Sequence, residues 1–145
     1  MVTQPSGGQL HLPQREVQRI PPRLVHHRHN AWTAAVAALF TDLHHERIHF
    51  MFHANGEYVG DVRFDGDVDS APFDISLVLR SALLRSASSI MVAHNHPGGR
   101  AIPSRQDCHV TRDVAQACRL VGLRLSDHLV VAGDNLFSFR DNGLL

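Results

Sequence analysis

Lysine is absent from this 145-residue chain, and all 14 basic side chains other than histidine are arginine. That bias fits an arginine-rich coding background; the sharper reading is a protein that works beside lysine-modifying machinery without being modified itself. Cysteine is scarce. Cys108 and Cys118 lie ten positions apart in one helical pattern, ~15 Å along a helix axis, which is beyond disulfide reach. They read as reduced core residues of a cytosolic protein. A surplus of charge is also missing, with 14 basic residues against 14 acidic ones. A protein that grips many phosphates usually carries a basic excess, so nucleic acid is not the expected partner. The longest apolar stretch, from Ala31 to Phe40, is too short to cross a membrane. The thirty mixed residues before it do not look like a secretory signal.

What is present suits one domain with a real core, since 43% of the residues are apolar and 19% charged. Residues 1–30 hold Pro5, Pro13, Pro21 and Pro22 with little periodicity, and read as an arm or linker. His26, His27 and His29 near its end read as a solvated polar stretch. The domain proper is expected over residues 31–145. After a candidate N-cap at Asn30, Trp32, Val36, Leu39, Phe40 and Leu43 form a helical stripe. At Glu46 the period changes to two: Ile48, Phe50 and Phe52 alternate with Arg47, His49 and Met51, which predicts a half-buried strand. His53-Ala54-Asn55-Gly56 predicts a hairpin turn, with a return strand through Tyr58, Val62 and Phe64 broken at Gly60.

A second helix is expected from Asp74 to Ala87, with Ile75, Val78, Leu79, Ala82 and Leu83 inward. Ile90-Met91-Val92-Ala93 reads as a central strand buried on both faces. A third helix begins at Ser104, where Ser104-x-x-Asp107 fits a capping box. Its expected inner stripe is Val110, Val114, Ala117 and Val121, with Gly122 closing it. Strands at 128–132 and 136–139 complete an α/β sandwich around a mixed sheet.

The chemistry concentrates between His94 and Asp107. His94 and His96 stand at i and i+2 beyond a buried strand, so their rings project to one side. Pro97, Gly98 and Gly99 turn the chain, and Asp107 falls in the first turn of the next helix, where its carboxylate can face back. Two imidazoles and a carboxylate, with a fourth position open to water, define a catalytic rather than a structural zinc site. Such a site needs a carboxylate to take a proton from water and pass it to a leaving amine. The candidates are Glu46, at the start of a strand, and Glu57, at the hairpin.

The pattern His94-x-His96-x7-Ser104-x2-Asp107, preceded by Glu46, resembles the JAMM motif of the JAB/MPN metalloprotease superfamily. More narrowly, the chain resembles the RadC family through Phe64-x-Gly66, His94-Asn95-His96-Pro97-x-Gly99, Pro103-Ser104-x-x-Asp107-x-x-x-Thr111, Asp127-His128 and Ser138-Phe139-Arg140. The likeness covers residues 40–145. It implies a cytidine-deaminase-like α/β fold and zinc-dependent cleavage of a peptide or isopeptide bond. It further implies that His94, His96 and Asp107 hold one zinc ion, that Glu46 is the base, and that the Ser104 hydroxyl steadies the oxyanion. For Asp127 and His128 it leaves support of the ligands, sheet packing and catalysis open.

Gly98 stands where RadC-like chains usually carry serine, a change expected to alter the loop more than the chemistry. The helix-hairpin-helix module that often precedes such domains has no expected counterpart in the short arm. Related domains without that module occur beside ubiquitin-like conjugation systems, so the expected substrate is a protein, such as a ubiquitin-like modifier or its conjugate, in the cytoplasm. Two other readings stay open: a DNA-repair-associated accessory protein, and a non-catalytic MPN-like scaffold that binds protein. A nucleoside deaminase is excluded, because no Pro-Cys-x-x-Cys ligand pair is present.

Overall fold

Alternation of Ile48, Phe50 and Phe52 gives strand β2 (Arg47–Ala54) one strongly apolar face, and the sheet is built around it. The computed structural model describes residues 26–27, 31–66 and 73–145, the first pair by backbone alone. In chain order the elements are β1 (His26–His27), α1 (Ala31–Ala38), β2, β3 (Glu57–Asp65), α2 (Ile75–Leu84), β4 (Ser89–Asn95), α3 (Arg105–Leu120), β5 (Arg124–Ala132) and β6 (Asn135–Ser138). They form one mixed sheet of order β1-β6-β5-β4-β2-β3, in which β4 and β5 are the parallel pair. The α/β architecture is the one expected. Of the predicted arm, residues 1–25 and 28–30, including His29, lie outside the described residues, while the backbone of His26 and His27 pairs with Asn135 and Leu136.

Helices cover both faces. On one, α2 and α3 set Val78, Ala82, Val114 and Cys118 against Ile48, Phe50, Phe52, Ile90 and Val92. On the other, α1 and the turn after it set Val36, Ala37 and Phe40 against Met51, Ala93, Leu129 and Val131. The second cluster corrects one expectation: β2 is buried on both faces, because α1 covers His49 and Met51 as well. Helix α1 is also shorter than its stripe, ending at Ala38 in a turn closed by Leu39 N→Val36 O and Phe40 N→Ala37 O bonds. Trp32 and Leu39 are consequently exposed. In α3 the buried line is Asp107, Thr111, Val114 and Cys118, so Val110 and Ala117 are only half-buried and Val121 is exposed. Likewise Leu83 of α2 faces solvent.

Two glycines explain local geometry. Asn55 and Gly56 have φ of 52° and 83°, so the hairpin closes in two residues, with His53 and Ala54 still in the strand. Gly60 does not break β3. It lies beside the irregularity opposite Phe52 and His53, and a Cβ there would meet Arg85 Nε at 2.6 Å. Its bareness lets the Arg85 guanidinium lie over the Phe52 ring, 5.8 Å from the centroid. Cys108 and Cys118 are unbridged, and burial pushes the Cys118 thiol up to about 11. Among the described residues no helix is long and apolar enough to cross a membrane.

Candidate metal centre

Strand β4 delivers His94 fully buried at its end, paired with Ile48 on one side and Val130 on the other. His96 follows just beyond the strand, fixed by its N–H to the Val131 carbonyl at 2.8 Å. Gly98 then turns the chain at φ 63°, and Gly99 packs so closely that a Cβ would stand 3.2 Å from the His96 Cβ. Asp107 arrives from the first turn of α3. The capping box expected there is formed: Asp107 N donates to Ser104 Oγ at 3.1 Å and Ser104 N to Asp107 Oδ2 at 2.6 Å.

The result is a tight convergence of donors. His94 Nε2 lies 3.0 Å from His96 Nε2 and 3.2 Å from Asp107 Oδ1, while His96 Nε2 lies 3.3 Å from Asp107 Oδ2. Ligand atoms of all three lie within 4.8 Å of one another, a group that could hold a metal ion. Burial opposes ionisation of Asp107, but hydrogen bonds and charge from the two imidazoles, with the Ser104 N–H, hold its carboxyl well below the usual carboxylate range. The Asp107 contact in turn raises the pKa of His96, with burial opposing and the Arg100 carbonyl and Glu46 charge assisting. Two imidazole nitrogens and a carboxylate could together hold a metal ion, and the nitrogen-rich set fits a divalent transition ion.

Behind the ligands runs a hydrogen-bonded chain whose parts the sequence showed but whose connection it did not. His94 Nδ1 lies 2.7 Å from His128 Nε2, His128 Nδ1 lies 2.5 Å from Thr111 Oγ1, and Thr111 Oγ1 donates to the Asp107 carbonyl at 2.6 Å. His128 is stacked on Phe139 with ring centres 4.9 Å apart, and burial lowers its pKa well below the ordinary histidine value, so it is neutral with one N–H. The roles follow in one order. The Thr111 hydroxyl proton goes to the Asp107 carbonyl, so Thr111 accepts from His128 Nδ1–H. His128 Nε2 must then accept from His94 Nδ1–H, which leaves the His94 Nε2 lone pair directed at the metal group. Asp127, by contrast, accepts from His128 N, Arg140 N and Ser138 Oγ, and ties β5 to the end of β6.

Glu46 lies immediately before β2, and the side chain between the two histidine ligands holds its backbone. Asn95 Oδ1 accepts from Arg47 N at 2.7 Å and Asn95 Nδ2 donates to the His45 carbonyl at 3.0 Å, so one buried amide brackets Glu46 from both sides. The Glu46 carbonyl accepts from Gly66 N at 3.0 Å. Register sends Glu57 elsewhere. Ile48 of β2 pairs with His94, whereas His53 pairs with Ser89, so the hairpin lies at the opposite end of the sheet. Ala54 lies six positions beyond Ile48 along β2, which is ~20 Å. The structure thus brings Glu46, Ser104, His94, His96 and Asp107 to one end of the sheet and leaves Glu57 at the other. Asn95 was missed as a positioning residue because only the strand pairing reveals what it reaches. Thr111 and His128 carried a signal, as polar residues inside buried faces.

Fold and donor set together define an α/β domain of hydrolase-like kind with a candidate metal centre. The chain belongs to the RadC-like JAB domain family, whose model matches residues 27–144. It is similar to the UPF0758 protein YeeS of Escherichia coli, at 35% identity over 99 residues covering 68% of this chain and 67% of that one. A UPF0758 protein of Porphyromonas gingivalis is 44% identical over 81 residues, 55% of this chain and 36% of that one. YfjY of E. coli is 39% identical over 82 residues, 57% and 51% respectively. For these last two relatives the chain spans about half their length or less.

Proposed function

We propose that this domain is a zinc-dependent peptidase or isopeptidase acting on a protein substrate, with a ubiquitin-like modifier or its conjugate as the substrate class and the cytoplasm as its place. The observation that carries the reading is the bracketing of Glu46 by Asn95, which ties the backbone on either side of Glu46 to the end of β4 between the two histidines.

His94, His96 and Asp107 would hold the zinc ion, leaving a coordination position open. Bound there, zinc supplies Lewis acidity and lowers the pKa of water to about 7. Glu46 takes the proton as the water oxygen joins the carbonyl carbon, then returns it to the nitrogen as the C–N bond breaks. Ser104 Oγ accepts from Asp107 N, which leaves its own O–H proton able to stabilise the developing oxyanion. Burial of Asp107 and His94 holds both in place and keeps bulk water from them.

The test measures zinc and turnover on the same samples. Purified protein should hold about one zinc per chain, and His96→Ala should lose most of it. Glu46→Gln should keep zinc and fold while losing cleavage of a ubiquitin-like fusion by ~10²-fold or more. Glu57→Gln should behave as wild type. A Glu46→Gln protein that cleaves at the wild-type rate would remove Glu46 from the mechanism.

A further inference from the structure

Arg47 and Asp65 stand directly opposite each other at the end of the β2–β3 ladder. Arg47 Nε donates to Asp65 Oδ1, and His45 Nε2 lies 3.2 Å from the same oxygen. The next residue, Gly66, donates its N–H to the Glu46 carbonyl at 3.0 Å. Glu46 is thus held from β3 as well as from β4. The side chains before and after it meet on one carboxylate, while Asn95 binds the backbone of the same two residues. The Arg47 side chain is 18% exposed against 52% for that of Asp65, so the pair is partly shielded from water. Arg47, with help from His45, holds the Asp65 carboxyl down to about 2, and it stays ionised across the neutral range.

The two grips do different things. Asn95 fixes the backbone at two points, and a segment held at two points can still swivel about the line that joins them. Asp65 holds the flanking side chains, so swivelling must break the Arg47 and His45 contacts. Side chains two positions apart that meet on one atom leave the one between them facing the other way. We infer that Asp65 is a positioning residue for Glu46: through Arg47 and His45 its carboxylate sets the direction of the side chain between them. The inference rests on the peptidase reading, in which Glu46 is the base.

The test uses the full zinc-loaded chain and two readouts. Amide hydrogen exchange followed by NMR reports how firmly the Arg47 N–H is held, and cleavage of a ubiquitin-like fusion gives kcat and KM. Asp65→Ala should keep zinc and melting temperature while exchange at Arg47 quickens about three- to fivefold, the scale of one partly exposed ion pair. It should lower kcat by a similar factor and leave KM unchanged. Asp65→Asn, which keeps a neutral acceptor, should show smaller changes in the same direction, and it replaces the alanine variant if that one unfolds. Because Asp65 acts through Arg47, adding Asp65→Ala to Arg47→Ala should change both readouts less than Asp65→Ala does alone. Unchanged exchange in the folded variants, or effects of the two substitutions that simply add, would overturn the inference. Faster exchange with unchanged kcat would do the same, since the grip would then not reach the base. A wild type that cleaves nothing would sink the peptidase reading by itself. Exchange and its coupling to Arg47 then decide whether Asp65 holds the segment.

Discussion

Thr111→Val tests whether the chain through His128 sets the metal affinity. The substitution keeps the β-branched shape and removes one hydroxyl. Two groups lose their partner: the His128 Nδ1–H, 2.5 Å from Thr111 Oγ1, and the side-chain bond to the Asp107 carbonyl. Thr111 and His128 are both buried, so water cannot replace the hydroxyl without rearrangement. A buried donor left unpaired costs about 1–3 kcal/mol. His128 can escape that cost by moving its proton to Nε2, but that proton then points at His94 Nδ1–H across 2.7 Å. Relief requires His94 to surrender its Nδ1 proton or turn its ring, and either change disturbs the Nε2 lone pair that would meet zinc. The penalty therefore falls on metal binding, as ~10–100-fold weaker zinc affinity, the scale seen when partners behind metal-bound histidines are removed. Zinc competition against a chromophoric chelator measures it, and Thr111→Ser should recover most of the loss. Zinc affinity within twofold of wild type in a folded Thr111→Val protein would show that the chain does not govern the site.

Asn95→Ala should retain zinc while lowering turnover by ~10²-fold, because the backbone on either side of Glu46 loses its two bonds to Asn95 and a displacement of about 1 Å suffices for that loss; parallel zinc and rate measurements decide, and full activity would show that the bracket is unnecessary. His49 Nε2 is, among the described residues, the buried side-chain nitrogen without a hydrogen-bond partner, so His49→Leu should stabilise the protein by about 1 kcal/mol at pH 7 in urea titrations. Burial lowers the folded pKa of His49, with Asp61 opposing, so the unfolded chain takes up the proton first as pH falls below about 6.5. The stability advantage of His49→Leu over wild type should therefore widen from pH 7 to 5.5, and a constant difference would contradict the sign.

The sequence showed the metal ligands because they occupy one short segment, His94 to Asp107, with a strand before it and a capped helix after it. Local rules of strand side, turn and cap suffice there. The hairpin was legible for the same reason, since Asn55-Gly56 encodes its own backbone. Long-range pairing limited the rest. The charged and polar residues of β2 predicted an open face, and only the position of α1 shows that His49 and Met51 are covered. In α3 Val114 is buried as expected, but the rest of the line runs through Asp107, Thr111 and Cys118 rather than Val110 and Ala117, because Asp107 and Thr111 face inward for the site while the apolar pattern drew attention to Val110. Asn95 stood in the family match without a role, and its role became visible only with the pairing of β2 to β4.

Topology then accounts for why the site could assemble at this end of the sheet and no other. Strands β4 and β5 are parallel and α3 connects them, so α3 must begin near the C-terminal end of β4. Its N-terminal turn, carrying Ser104 and Asp107, is thereby placed beside His94 and His96. Strand β2 runs antiparallel to β4, so its beginning, and with it Glu46, adjoins the same end. Each contribution comes from an element terminus, where side chains can converge without breaking ladder hydrogen bonds. The side chain of Asn95 crosses between two of them, binding the start of β2 to the end of β4 beside Glu46. Lengthening β2 by one residue before Ile48 would keep the sheet and the ligands yet move Glu46 off that end by ~3.3 Å, enough to separate an intact fold and metal group from a working base.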